Sequence, residues 1–220
     1  MLQPSKGRGE ARAMATKSAS TVRRSPSRSD TRDRLIQIGT EILSEKGFDA
    51  TGLDEVLRRA NVPKGSFYHF FACKADFGLA VVDNYALLWD QKLKRLLRNP
   101  KVAPLQRVHD YIDEGVRGLR KYSFRRGCLV GNLAQELAGL DDAFRKRIQL
   151  VFASWERLLE ECLDEAKLAG ELPVDADTAR LANFFWMAWE GAILQAKLER
   201  SVKPVEQFRD VIFTFILAGR

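Results

Sequence analysis

Two helical faces in the second half of the chain carry side chains with chemistry in them. Cys128, Asn132 and Glu136 follow one another at i, i+4 and i+8, so they share one side of a helix. A thiol just after Arg125 and Arg126 and close to a helix start is expected to have a lowered pKa, which suits a sensing or ligand-contact role. Cysteine is also a small apolar filler of cores, and that reading stands beside the first. Trp186, Glu190, Ile193 and Lys197 recur at i, i+4, i+7 and i+11 with Trp189 next to them, which puts aromatic walls, a carboxylate and an ammonium together. Such a set suits a small organic ligand. Core packing with a dimer seam would use the same aromatics, and both can hold at once.

A third constellation is of another kind. From Lys64 the chain reads KGSFYHFF, with the hydrogen-bonding groups of Lys64, Ser66, Tyr68 and His69 around a bare Gly65, while Phe67, Phe70 and Phe71 can anchor the segment. No carboxylate occurs from Val62 to Ala75, although Lys64 and Lys74 do. A short, bare, cationic helix fits a major groove about 12 Å wide. Ser66, Tyr68 and His69 are then the candidates for base or phosphate contact and Gly65 the point of close backbone approach. Thr51, Lys64 and Lys74 are the candidates for phosphate.

The elements that would hold these groups are helices. Leu53, Val56, Leu57 and Ala60 form an apolar stripe, with Thr51 as the expected cap, Asp54 in the first turn and Asn61 closing the helix in a left-handed conformation. Pro63 restarts the chain into a helix expected over Lys64 to about Phe70. Two short helices joined by so tight a turn predict a helix-turn-helix. A helix from Ser29 or Asp30 to Gly47 completes a three-helix head, with Phe48 expected to fold back on its end. A long helix from Lys74 to about Asn99 should join the head to a helical body, burying Phe77, Val81, Tyr85, Leu88 and Leu96. Further helices are expected over 105–122, 129–140, 142–169, 175–200 and 205–217. The fold class is therefore all-α, a helix-turn-helix head at 30–75 and a larger ligand-binding and dimerisation body at 76–220.

Charge sharpens the division. Residues 1–30 hold seven Lys or Arg against two acids, while residues 31–78 hold seven of each sign, so the overall net charge of +7 is mostly a property of the beginning of the chain. Residues 1–29 read as a disordered basic arm that can add phosphate affinity. There is no run of 18 uncharged apolar residues to cross a membrane. Three cysteines without metal-like spacing indicate a reducing, cytoplasmic setting. Only His69 and His109 could serve as imidazole bases, and no metal, Walker or dinucleotide motif occurs, so neither an enzyme nor a cofactor is expected.

The run from Gly47-Phe48 through Thr51, Val62 and Lys64-Gly65-Ser66-Phe67-Tyr68-His69-Phe70-Phe71 to Lys74 resembles the DNA-binding signature of the TetR family of bacterial repressors. Pro63 departs from it, standing where many members have a serine able to cap the recognition helix. The blocks Arg126-Gly127-Cys128-Leu129 and Trp189 to Lys197 resemble a subgroup that answers to electrophiles or to short unsaturated acids such as acrylate. The resemblance implies a homodimer on a pseudo-palindromic operator, released by a small-molecule inducer in the body, with Cys128 and Lys197 as sensor positions. The alternative is a helical DNA-associated or partner-binding protein with no inducer.

Overall fold

The computed structural model describes residues 28–217, and all regular structure among them is helical: α1 (Arg28–Lys46), α2 (Leu53–Ala60), α3 (Lys64–Phe67), α4 (Lys74–Leu97), α5 (Pro104–Lys121), α6 (Leu129–Leu137), α7 (Asp142–Leu168), α8 (Thr178–Glu199) and α9 (Lys203–Val211), which runs into a π-helical turn over Ile212–Ile216. Most of the expected basic arm lies outside the described residues; Arg28 and Ser29 open α1. No described helix is long and apolar enough to cross a membrane.

Head and body are built by the same rule, apolar stripes turned inward. Leu35, Ile42 and Leu43 of α1 are buried with Val56, Leu57 and Ala60 of α2. Gly47 ends α1 at φ +82°, a conformation that favours glycine. Asn61 closes α2 in the left-handed region, its N–H donating to the carbonyls of Arg58 and Leu57. Two expectations fail here. The cap of α2 is Gly52, and Thr51 is buried with its hydroxyl donating to the Gly47 carbonyl at 2.6 Å, so it neither caps α2 nor faces outward to a phosphate. Phe48 lies edge-on to Phe144 of α7 at 5.3 Å.

The recognition segment is shorter than its pattern suggests. Helix α3 stops at Phe67, and residues 68–70 continue as a turn in which His69 and Phe70 donate to the carbonyls three residues back. Pro63 stands at the N-cap with no side-chain bond, so its fixed φ of −62° supplies the entry that a serine would otherwise secure.

Helix α4 runs from head to body. Cys73 caps it, the sulfur accepting the Asp76 N–H at 3.5 Å. Phe77, Val81 and Tyr85 are buried as expected, but Leu88 is 53% exposed, and Leu93 and Leu97 take the core positions beyond it. Helices α5 to α9 pack around Trp155, Phe144, Ile112 and Leu133, all at 1% exposure or less. Asp141 and Asp177 cap α7 and α8 by accepting N–H groups of the first turns.

Candidate functional site

The head presents its polar groups outward. Phe67 is fully buried against Phe71 and Phe77, with ring centroids 5.2 and 5.6 Å away, and this anchor fixes the residues on either side of it. Gly65 has open space where a Cβ would stand, Tyr68 is 56% exposed, and Lys64 and His69 are exposed, with Ser66 half-buried. Lys64 makes a surface ion pair with Asp54 at 3.1 Å, a bond of about 0–1 kcal/mol that a phosphate can displace at little cost. Lys74 lies over the Phe48 ring, 4.5 Å from its centroid, and reaches the Asp49 carbonyl at 3.5 Å. The beginning of α1 leans on the same segment: Arg28 donates to the His69 carbonyl at 3.1 Å and Arg32 lies over Phe71.

The body holds a cavity of about 310 Å³ with aromatic walls. Tyr85 and Trp89 of α4 stack at 5.0 Å, Tyr111 of α5 meets Trp186 and Trp189 of α8 at 5.6 and 5.2 Å, and Trp155 of α7 closes on Trp186 at 5.3 Å. Cys128, the N-cap of α6, and Glu190 of α8 join this lining. Helix α1 contributes Thr40, Glu41 and Ser44, so one wall of the chamber belongs to the head.

Electrostatics inside the chamber reverse the expectation for Cys128. Arg126, expected to acidify the thiol, is committed to Glu45 at 2.8 Å and stacks over Tyr122. Burial, with the Glu190 carboxyl close by, pushes the Cys128 thiol well above its ordinary range. The sulfur accepts the Gly131 N–H at 3.4 Å. Burial also pushes Glu190 up to about 7, and its Oε1 is buried with no hydrogen-bond partner, as is Trp186 Nε1. Tyr85 and Tyr111 are driven upward by the same desolvation.

Of the sequence-predicted ligand residues, Cys128, Trp186, Trp189 and Glu190 come together in the chamber. Asn132 and Lys197 do not line it; they face each other, Lys197 Nζ donating to Asn132 Oδ1 at 3.4 Å. Glu136, on the same face of α6 as Cys128, turns to the head and accepts the N–H groups of Phe48 and Asp49 at 2.8 and 2.6 Å. Sequence reasoning missed that join, and it missed Tyr85, Trp89 and Tyr111 as chamber walls. Their only signal was membership in ordinary apolar stripes.

Residues 35–81 match the family described as bacterial regulatory proteins, tetR family, and residues 104–212 match the tetracyclin repressor-like C-terminal domain. The chain is 44% identical over 186 residues to the transcriptional regulator AcuR of Cereibacter sphaeroides, covering 84% of this chain and 85% of that protein.

This protein belongs to the TetR family.

As a TetR-family transcriptional regulator it is no enzyme, and relatives that share its body include named repressors. One is NemR of Escherichia coli K12, 30% identical over 177 residues, 80% of this chain and 89% of that protein. A crystal structure of a regulatory protein TetR from Rhodobacter sphaeroides superposes with a TM-score of 0.80 at 43% identity, covering 83% of this chain and 97% of that one. These likenesses span both the head and the chamber, so the helix-turn-helix of a TetR-family repressor is the frame in which the exposed Gly65 to His69 segment is read.

Proposed function

We propose that the protein acts in the cytoplasm as a homodimeric repressor, with residues 30–75 of each copy reading one half-site of a pseudo-palindromic operator and residues 76–220 forming the regulatory body. Lys64, Gly65, Ser66, Tyr68 and His69 enter the major groove, and Lys64 and Lys74 hold phosphates. Dimerisation is supported by the outer face of α8, where Phe184, Met187, Leu194 and Leu198 are 37–69% exposed on the side away from Trp186 and Trp189. Two copies of this helix and of α7 pair across the two-fold axis.

The observation that carries the inducer reading is that α1 lines the chamber. A molecule entering there pushes on a helix of the DNA-reading head, and Arg126–Glu45 and Glu136 carry the displacement at two further points. Small unsaturated electrophiles are the inducers that fit best, because a thiol and a carboxyl line one chamber beside Tyr85, Tyr111, Trp186 and Trp189. A short unsaturated carboxylate held without a covalent bond is the second reading. It is supported by the carboxyl of Glu190, which keeps its proton up to about pH 7 and can donate a hydrogen bond to a carboxylate bound beside it. The lining cations Lys92 and Arg126 are already paired with Glu114 and Glu45.

The test is operator-binding anisotropy with purified wild type and Cys128→Ser. Covalent sensing expects both to bind operator and only wild type to be released by methyl vinyl ketone. Release of both proteins by acrylate, with a reversible change in tryptophan emission, selects the second reading. Equal affinity for operator and random duplex returns the protein to a helical DNA-associated role without specific recognition.

A further inference from the structure

We propose that Glu190 is the general base that activates Cys128 towards activated alkenes in the chamber. The inference rests on the reading of the chamber as the inducer site and adds the residue that performs the proton transfer.

The geometry is specific. Glu190 projects from α8 across to the start of α6, where its carboxyl lies against Gly131 and lines the same chamber as the Cys128 thiol. It gets there because residue 131 is glycine: a Cβ on Gly131 would stand 2.0 Å from Glu190 Oε2 and 2.8 Å from its Cδ. The same Gly131 supplies the N–H that points at Cys128 Sγ from the first turn of α6, a donor placed to hold a thiolate. Oε1 of Glu190 is left buried and unpartnered. The titratable groups lining the chamber around this pair are Tyr85 and Lys92 from α4, Tyr111 and Glu114 from α5, Glu41 from α1, and Tyr122 and Arg126 from the segment before α6. Tyr85 and Tyr111 stay neutral, and the outer charges occur as the pairs Lys92–Glu114 and Arg126–Glu45, with Glu41 of α1 at 4.0 Å from Arg126.

The chemistry follows from moving a charge in place of creating one. Ionising a buried thiol alone puts a new charge in an apolar space, which burial opposes. Proton transfer from Sγ to an ionised Glu190 leaves the net charge of the chamber unchanged. The Sγ–H bond breaks and Glu190 becomes the acid; the thiolate then bonds to the β-carbon of an α,β-unsaturated carbonyl compound while the π electrons move to the carbonyl oxygen. Glu190 returns its proton to the α-carbon, giving a saturated thioether with no oxidant or reductant involved. The aromatic walls admit small uncharged alkenes and exclude charged or bulky thiol reagents, so the burial that silences the thiol in water also makes it selective.

The measurement is the rate of Cys128 alkylation by methyl vinyl ketone and by acrylamide between pH 5 and 9, read by peptide mass spectrometry on the full chain. Exposed Cys73 in the same molecule serves as the reference thiol. The expected wild-type profile rises through about 7 as Glu190 loses its proton and then levels. Glu190→Gln should slow Cys128 by roughly a hundredfold at pH 8, the low end for general-base catalysis, and remove the inflection, leaving Cys73 unchanged. Gly131→Ala, which keeps the carboxylate but displaces it from the thiol, should slow Cys128 in the same direction. Unaltered Cys128 rates and profile in either folded variant would overturn the base assignment. A wild-type Cys128 that methyl vinyl ketone never labels would instead overturn the chamber as an electrophile site.

Discussion

Cys73 and Cys128 do the same local job in two regions of the molecule. Each caps a helix through its sulfur, Cys73 accepting the Asp76 N–H at 3.5 Å and Cys128 the Gly131 N–H at 3.4 Å. Cys73 is exposed at the edge of the DNA-reading head, whereas Cys128 is 9% exposed among aromatics with a carboxyl as neighbour. The backbone setting is shared, so the difference in chemistry comes from surroundings contributed by α4, α5, α7 and α8. The contrast extends to the regions around them. The head keeps its polar groups in water and loosely bonded, which suits the proposed exchange with phosphate and base. The chamber leaves Glu190 Oε1 and Trp186 Nε1 buried without partners, which suits the proposed ligand site.

The largest break in that comparison comes from the one buried residue of the reading segment. Phe67→Ala removes the ring that ties α3 to Phe71 and Phe77 and should cost about 3–5 kcal/mol of stability, whereas Tyr68→Ala next to it should change stability by no more than about 0.5 kcal/mol. Urea unfolding followed by circular dichroism checks both. Equal losses would mean that the segment has no inside and outside, and the recognition geometry would fall with it.

A smaller effect comes from the chamber. Glu190 has its carboxyl raised from 4.5 to about 7, so between those pH values the native chain holds a proton that the unfolded chain has released. Stability therefore falls as pH rises across that window, by up to about 3 kcal/mol, and does not recover above it. Glu190→Gln stays neutral throughout and should flatten this part of the curve. Melting temperatures at pH 5, 6, 7 and 8 read the difference, and parallel curves for the two proteins would show that the carboxyl is well solvated.

The two regions were legible to different degrees. The head helices could be located from stripes and stops because those determinants are local: Asn61, Pro63 and the Leu53 to Ala60 period act over a few residues, although the cap of α2 and the end of α3 were misread. The family resemblance carried from there to the fold of the whole chain. Thr51 looked like a cap until the loop turned its hydroxyl to Gly47, only four residues back. In the body, where inference failed, the deciding partner was far away in sequence. Arg126 looked like an activator of Cys128 until Glu45, 81 residues earlier, claimed it. Glu136 shared a face with Cys128, but a face of α6 is long enough for one end to meet a ligand and the other to grip Phe48 and Asp49. Lys197 was placed on the stripe of Glu190, yet about two further turns of α8 carry it past the chamber to Asn132. Periodicity gives the direction of a side chain and leaves its depth undetermined.

The smallest expected effect, and the one that refines the head most directly, concerns its two lysines. Lys64 and Lys74 differ in how they are held: Lys64 in an exposed pair with Asp54, Lys74 over the Phe48 ring with a weak bond to the Asp49 carbonyl. If each neutralises one phosphate, each alanine variant should lower the magnitude of the slope of log affinity against log salt by about 0.9 per lysine per half-site, on operator and random duplex alike. Stability should be nearly unchanged in Lys64→Ala, since an exposed ion pair contributes about 0–1 kcal/mol. Lys74→Ala should lose slightly more, because a cation–π contact of about 0.5–1 kcal/mol goes with the charge. Lys74 follows Cys73 at the start of α4, the helix that bears Tyr85 and Trp89 of the chamber wall, so its phosphate contact is also where a displacement of α4 would first be felt on DNA. An inducer should then weaken the Lys74→Ala repressor by a smaller factor than it weakens Lys64→Ala. Equal factors would place the transmitted movement in the α1 wall alone.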